Sequence, residues 1–155
     1  MDVQITERPA LRVAALRHTG PYAQIGAAFG RLGGILDNVD VVAEDAGPMI
    51  AIYHDDPEAV SPDQLRSLAG VVVKEGMKLP DGLEEERVPS GKYAMTTHIG
   101  PYEELPETWR RFRKEWLPAS GHRMGSGPSY ELYVNDPRTT GKALLETEIY
   151  MPIVK

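Results

Sequence analysis

The chain of 155 residues contains no cysteine. That excludes a disulfide framework, a thiol nucleophile and a thiolate metal site. No apolar run approaches bilayer-spanning length. Met1-Asp2-Val3-Gln4 lacks the charged and apolar regions of a signal peptide, so the expected location is the cytoplasm, with no membrane partner. Positive charge is in deficit, with 17 Lys and Arg against 23 Asp and Glu and a net charge of −6. Such a balance argues against direct nucleic-acid binding, which needs a basic stripe to release counterions. The densest basic stretch, Arg110-Arg111-Phe112-Arg113-Lys114, reads as the wet face of an amphipathic helix. No P-loop, no Rossmann glycine pattern at a strand–helix junction and no G-x-S-x-G occurs. The four histidines offer no recognisable metal spacing, and neither a metal nor another cofactor is expected.

What the chain has is one pattern written twice, 80 residues apart. His18-Thr19-Gly20-Pro21-Tyr22 returns as His98-Ile99-Gly100-Pro101-Tyr102. Gly47-Pro48, Tyr53 and Asp56-Pro57 return as Gly127-Pro128, Tyr133 and Asp136-Pro137, and Pro9 returns as Pro89. A period of half the chain marks an internal duplication rather than a solenoid. The length suits one domain spanning residues 1–155, with copies over 3–74 and 83–153 sharing a core.

Each copy reads as strand, strand, helix, strand, strand. In the first copy the strands are Val3–Arg8, Leu11–Leu16, Met49–His54 and Leu68–Lys74. Gly20-Pro21 opens a helix whose apolar face is Ile25, Phe29, Leu32 and Leu36. Four glycines within it weaken the helix or let another backbone or a ligand approach closely. In the second copy Leu83–Val88 is expected to form a hairpin with Lys92–His98 across Pro89-Ser90-Gly91. A helix then starts at Pro101, presents Leu105, Trp109, Phe112 and Trp116, and ends before Pro118. Tyr130–Val134 and Leu145–Ile153 complete the copy, and Lys74–Gly82 reads as the linker. The fold class is α+β: duplicated strand–helix–strand–strand modules forming a curved antiparallel sheet with two helices and a central cleft.

Divergence between the copies points to function. Glu148 in the last strand corresponds to Leu68, so one copy has a carboxylate where the other is apolar. Strand alternation puts Glu146, Glu148 and Tyr150 on one face. Two readings follow: these carboxylates face water, or one lies at the floor of an apolar cleft, where it needs a partner such as an organic cation. Aromatic rings would supply the walls of a cation site. His18 and His98, at equivalent positions before the Gly-Pro turn, read as structural.

Arg12-Val13-Ala14 with His18 to Tyr22, Ile52 to Pro57, Val88 to Ala94, Tyr130 to Pro137 and Glu148 to Ile153 together resemble the GyrI-like small-molecule-binding family, over essentially the whole chain. That family includes the bacterial DNA gyrase inhibitor and the effector-binding domains of multidrug regulators. The layout resembles the stand-alone gyrase-inhibitor type. The resemblance implies a duplicated module around a cleft that binds bulky aromatic or cationic compounds. It places Glu148 at the pocket base, with Tyr53, Tyr93, Trp109, Phe112, Tyr133 and Tyr150 along the walls. It also implies two alternatives. One is hydrolysis of cyclopropanoid genotoxins, with Glu148 activating water as the catalytic residue. The other is modulation of DNA gyrase by protein–protein contact.

Overall fold

The computed structural model describes residues 1–37 and 46–155. Its strands are β1 (Gln4–Arg8), β2 (Leu11–Thr19), β3 (Ala46–Tyr53), β4 (Arg66–Val73), β5 (Glu84–Val88), β6 (Gly91–Ile99), β7 (Arg123–Met124), β8 (Ser129–Tyr133) and β9 (Glu146–Val154). Helix α1 spans Gly26–Asp37. Helix α2 (Leu105–Arg111) runs through a π-helical stretch, Phe112–Trp116, into α3 (Leu117–Ser120). The observed class is the expected one, antiparallel α+β with helices from each copy.

The chain divides into two compact units, Pro9–Ser90 and Met1–Arg8 with Gly91–Lys155. In the first, the strand order is β3-β4-β2-β5; in the second it is β1-β6-β9-β8, with β7 on β9. The hairpin expected between Leu83–Val88 and Lys92–His98 does not form. Instead β5 pairs with β2, Leu11 opposite Val88, and β1 pairs with β6, Arg8 opposite Gly91. The first strand of each copy is thus exchanged into the other copy's sheet. The connections Pro9-Ala10 and Pro89-Ser90 explain why. A two-residue hairpin turn needs a positive φ at its first central residue, and proline is locked near −65°.

The duplication is exact in the junctions. Gly20 and Gly100 adopt φ of 127° and 136°, a left-handed region that glycine tolerates. Their N–H groups donate to Leu65 and Leu145, both at 2.8 Å. His18 and His98 close the same turn on the carbonyls of Pro21 and Pro101, at 3.2 and 3.0 Å. His98 is buried and its Nδ1 meets the Thr108 hydroxyl at 2.7 Å, in keeping with a structural role.

In the unit of Pro9–Ser90, α1 buries Ala28 and Leu32, and Ile25, just before its first residue, is buried with them. Ala14, Val71 and Val73 pack with Leu36, Met49, Met77, Leu79 and Leu83, so the Lys74–Gly82 segment contributes to the core rather than acting as a free linker. Among the described residues, a Cβ at Gly26, Gly30 or Gly33 would meet nothing within 4 Å, so no backbone approaches them closely. In the other unit the helix does not stop before Pro118. That proline has no N–H to give, and a widened turn, with Leu117 N–H bonded to the Phe112 carbonyl, absorbs its ring. Gly121, at φ 81°, ends the helix after Ser120. No helix among the described residues is long and apolar enough to cross a membrane.

Candidate functional site

The unit Met1–Arg8 with Gly91–Lys155 gathers six of the seven residues singled out from the sequence, and sorts them onto two faces of one sheet. Register decides the sorting. Tyr130 stands opposite Tyr150, Leu132 opposite Glu148, and Met95 opposite Tyr150, so these share a face with Tyr93. Glu131 stands opposite Ile149 and Tyr133 opposite Thr147, so they lie on the reverse face.

The helix-side face is built on Glu131. Its carboxylate is buried, only 2% exposed. The indole Nε1–H of Trp109 donates to Oε1 at 2.6 Å, and the Tyr133 hydroxyl donates to Oε2 at 2.7 Å. These are the lengths of charge-assisted bonds, and they offset part of the cost of burying the group. Trp109 begins an aromatic row along the helix. Its ring lies 6.0 Å from Phe112, which lies 5.4 Å from Trp116. Tyr102 packs edge-on to Tyr133 at 5.4 Å. Burial pushes the Tyr102 phenol up, and the negative charges of Asp136 and Glu131 add to this. The π-helical stretch that absorbs the Pro118 ring begins three residues beyond Trp109, and such turns are frequent at functional sites.

The opposite face holds three buried tyrosines. Tyr130 and Tyr150 stack at 4.7 Å and 19°, and Tyr93 meets them edge-on at 5.4 and 6.4 Å. The Tyr150 hydroxyl donates to Glu148 Oε1 at 2.9 Å. Glu148 is half-buried. The guanidinium of Arg8, at the end of β1, covers the Tyr150 ring at 4.6 Å, and its Nε–H donates to the Tyr130 hydroxyl at 3.3 Å. Burial pushes the Tyr93 phenol up to about 12, and moves those of Tyr150 and Tyr130 in the same direction.

Tyr53 belongs to the Pro9–Ser90 unit, where its ring packs on Tyr22 at 4.6 Å. Three residues central to these clusters, Glu131, Tyr130 and Arg8, escape a sequence reading that inspects only the last strand. The signal is present nonetheless. At the 80-residue offset their counterparts are Ala51, Ile50 and Val88, each as apolar as the Leu68 that stands for Glu148.

Comparisons with known proteins agree with this architecture. A family model described as the GyrI-like small molecule binding domain matches residues 1–154. The chain is 31% identical to the DNA gyrase inhibitor of Erwinia billingiae (strain Eb661), over 100% of its own length and 99% of that protein's. The solved C-terminal domain of EcmrR matches with a TM-score of 0.79 at 17% identity, covering 99% of this chain and 98% of that one. The structure of SAV2435 bound to tetraphenylphosphonium matches with a TM-score of 0.70 at 15% identity, covering 99% and 94%. At these identities the two structures speak for a shared fold.

Proposed function

The chain belongs to the GyrI-like small-molecule-binding family, and from that premise we propose that it captures bulky aromatic cations through the buried carboxylate of Glu131. One observation carries the reading. Glu131 is a carboxylate 2% exposed, held on both oxygens by hydrogen bonds from aromatic side chains. Burying such a group is costly for folding alone, whereas a bulky aromatic cation entering beside it would gain a poorly screened charge pair. The faces of Trp109, Tyr133 and Tyr102 add cation–π attraction and apolar contact. The ligand of SAV2435 is a cation of this class, which supports the choice of chemistry.

The carboxylate role passes here from Glu148 to Glu131. Glu148 is half-buried and interacts favourably with Arg8, a cation of the chain itself. In this reading Trp109, Phe112 and Tyr133 line the wall beside Glu131, while Tyr93 and Tyr150 belong to the other face.

Calorimetric titration with tetraphenylphosphonium tests the reading. Glu131→Gln removes the charge and keeps the shape. The expected loss is roughly 30-fold in affinity, about 2 kcal/mol. Equal binding by the variant and the parent would sink the proposal. The full-length likeness to a gyrase inhibitor favours a second reading, contact with DNA gyrase, for which an unchanged supercoiling rate in excess protein would be decisive against.

A further inference from the structure

Five positions on the face opposite Glu131 change character together between the copies. Tyr93, Tyr130, Tyr150, Glu148 and Arg8 correspond, at the 80-residue offset, to Val13, Ile50, Gly70, Leu68 and Val88. Four of the five counterparts are aliphatic and the fifth has no side chain. In the Pro9–Ser90 unit the equivalent space is closed: a Cβ on Gly70 would come within 2.5 Å of Val13 Cγ1 and 2.9 Å of the Ala14 carbonyl oxygen. One copy therefore fills this face with hydrocarbon, and the other builds three tyrosines and a carboxylate around a positive charge. Packing alone does not require that exchange, since the aliphatic version fills the same face of the same fold.

The geometry is that of an aromatic cage. Two stacked rings form one wall, Tyr93 stands edge-on to both, and the guanidinium carbon lies over the Tyr150 ring at 4.6 Å. The cation is fixed by one hydrogen bond, to Tyr130, and by attraction to Glu148. Glu148 in turn orients Tyr150 by accepting a hydrogen bond from its hydroxyl at 2.9 Å. All three tyrosines are buried, while Arg8 is half-buried and reaches the cage from the end of an edge strand. Cages of this composition recognise guanidinium and alkylammonium groups by facing ring quadrupoles and a carboxylate toward the charge.

We propose that Tyr93, Tyr130, Tyr150 and Glu148 form a second cation site, specific for guanidinium and small alkylammonium groups, which Arg8 occupies in cis. Arg8 is then the residue that decides specificity on this face. While it is seated, external cations are excluded from the cage and directed elsewhere. When it is absent, the cage is open to a free guanidinium. The site does not depend on Glu131, which lies on the reverse face of the sheet.

Chemical rescue of the full chain tests this. Arg8→Ala is titrated with N-ethylguanidinium, which replaces the lost side-chain head, and with N-ethylurea, its neutral counterpart. Thermal stability of the variant should rise with ethylguanidinium at millimolar concentrations. Its apparent affinity should exceed that of the parent by about tenfold or more, because the parent's cage is filled. Ethylurea should have no such effect, and Tyr150→Leu combined with Arg8→Ala should abolish the rescue. If Arg8→Ala is unfolded alone, the same titration is read as recovery of its far-UV circular dichroism. An equal response of parent and variant, or no selective response to ethylguanidinium, overturns the proposal. Tetraphenylphosphonium affinity, measured alongside, should change less than about twofold in Arg8→Ala. Failure of tetraphenylphosphonium to bind at all counts against the Glu131 reading and leaves the rescue result standing.

Discussion

Trp109→Phe isolates the bond on which the Glu131 site is built. The substitution removes the indole N–H that donates to Oε1 at 2.6 Å, and leaves a buried carboxylate with one fewer donor. A hydrogen bond to a charged group contributes about 1.5–3 kcal/mol. The smaller ring leaves unfilled volume worth about 1 kcal/mol more. The total, about 2.5–4 kcal/mol, corresponds to a fall in Tm of roughly 5–15 °C for a chain of this size. Packing and hydrogen bonding separate in a double-mutant cycle with Glu131→Met, which removes the acceptor and keeps most of the volume. The coupling energy should be about 1.5–3 kcal/mol. Urea unfolding followed by far-UV circular dichroism is the appropriate assay, since Trp fluorescence would change with the substitution itself. If Trp109→Phe costs the same with and without Glu131, the indole–carboxylate bond contributes nothing and the reasoning fails.

Other outcomes follow from the same structure. Gly70→Ala should destabilise by about 1–3 kcal/mol, because its Cβ would collide with Val13 and the Ala14 backbone; a variant of parental stability would contradict the close approach. The Tyr93 phenol, raised by burial to about 12 from an unfolded value near 10, keeps its proton longer in the folded state. That contribution to stability is complete below pH 10 and is lost as pH rises from 10 to 12. Tyr93→Phe should therefore flatten part of the fall in urea midpoint over that window, the rest belonging to Tyr130 and Tyr150; an unaltered slope would refute the assignment.

Local structure was largely legible in the sequence. The repeated His-x-Gly-Pro-Tyr motif placed both helix entries, and alternation placed all strands but the short Arg123–Met124. Pairing was less legible, because adjacency in sequence suggested hairpins and only the turn chemistry of Pro9 and Pro89 argues against them. The site was legible by half. A lone Glu in an alternating strand reads as solvent-facing, and what buries Glu131 is a tryptophan 22 residues earlier, on another element. Arg8 meets Tyr130 across 122 residues, a contact that no local pattern encodes. The 80-residue offset does carry a signal for both, since Glu131 and Arg8 stand against Ala51 and Val88.

The exchanged first strands make each half depend on the other for its completion. Residues 1–8 are physically part of the C-terminal half, and Glu84–Val88 is part of the N-terminal half. Each half completes its sheet with a strand encoded in the other, so neither half of the sequence, cut at its midpoint, carries the whole of its own sheet. Trimming eight residues from the N-terminus would strip β6 of its neighbour and expose a raw edge in the distant half. It would also remove Arg8 from the tyrosine cage, so the integrity of one terminus and the occupancy of that cage are a single property.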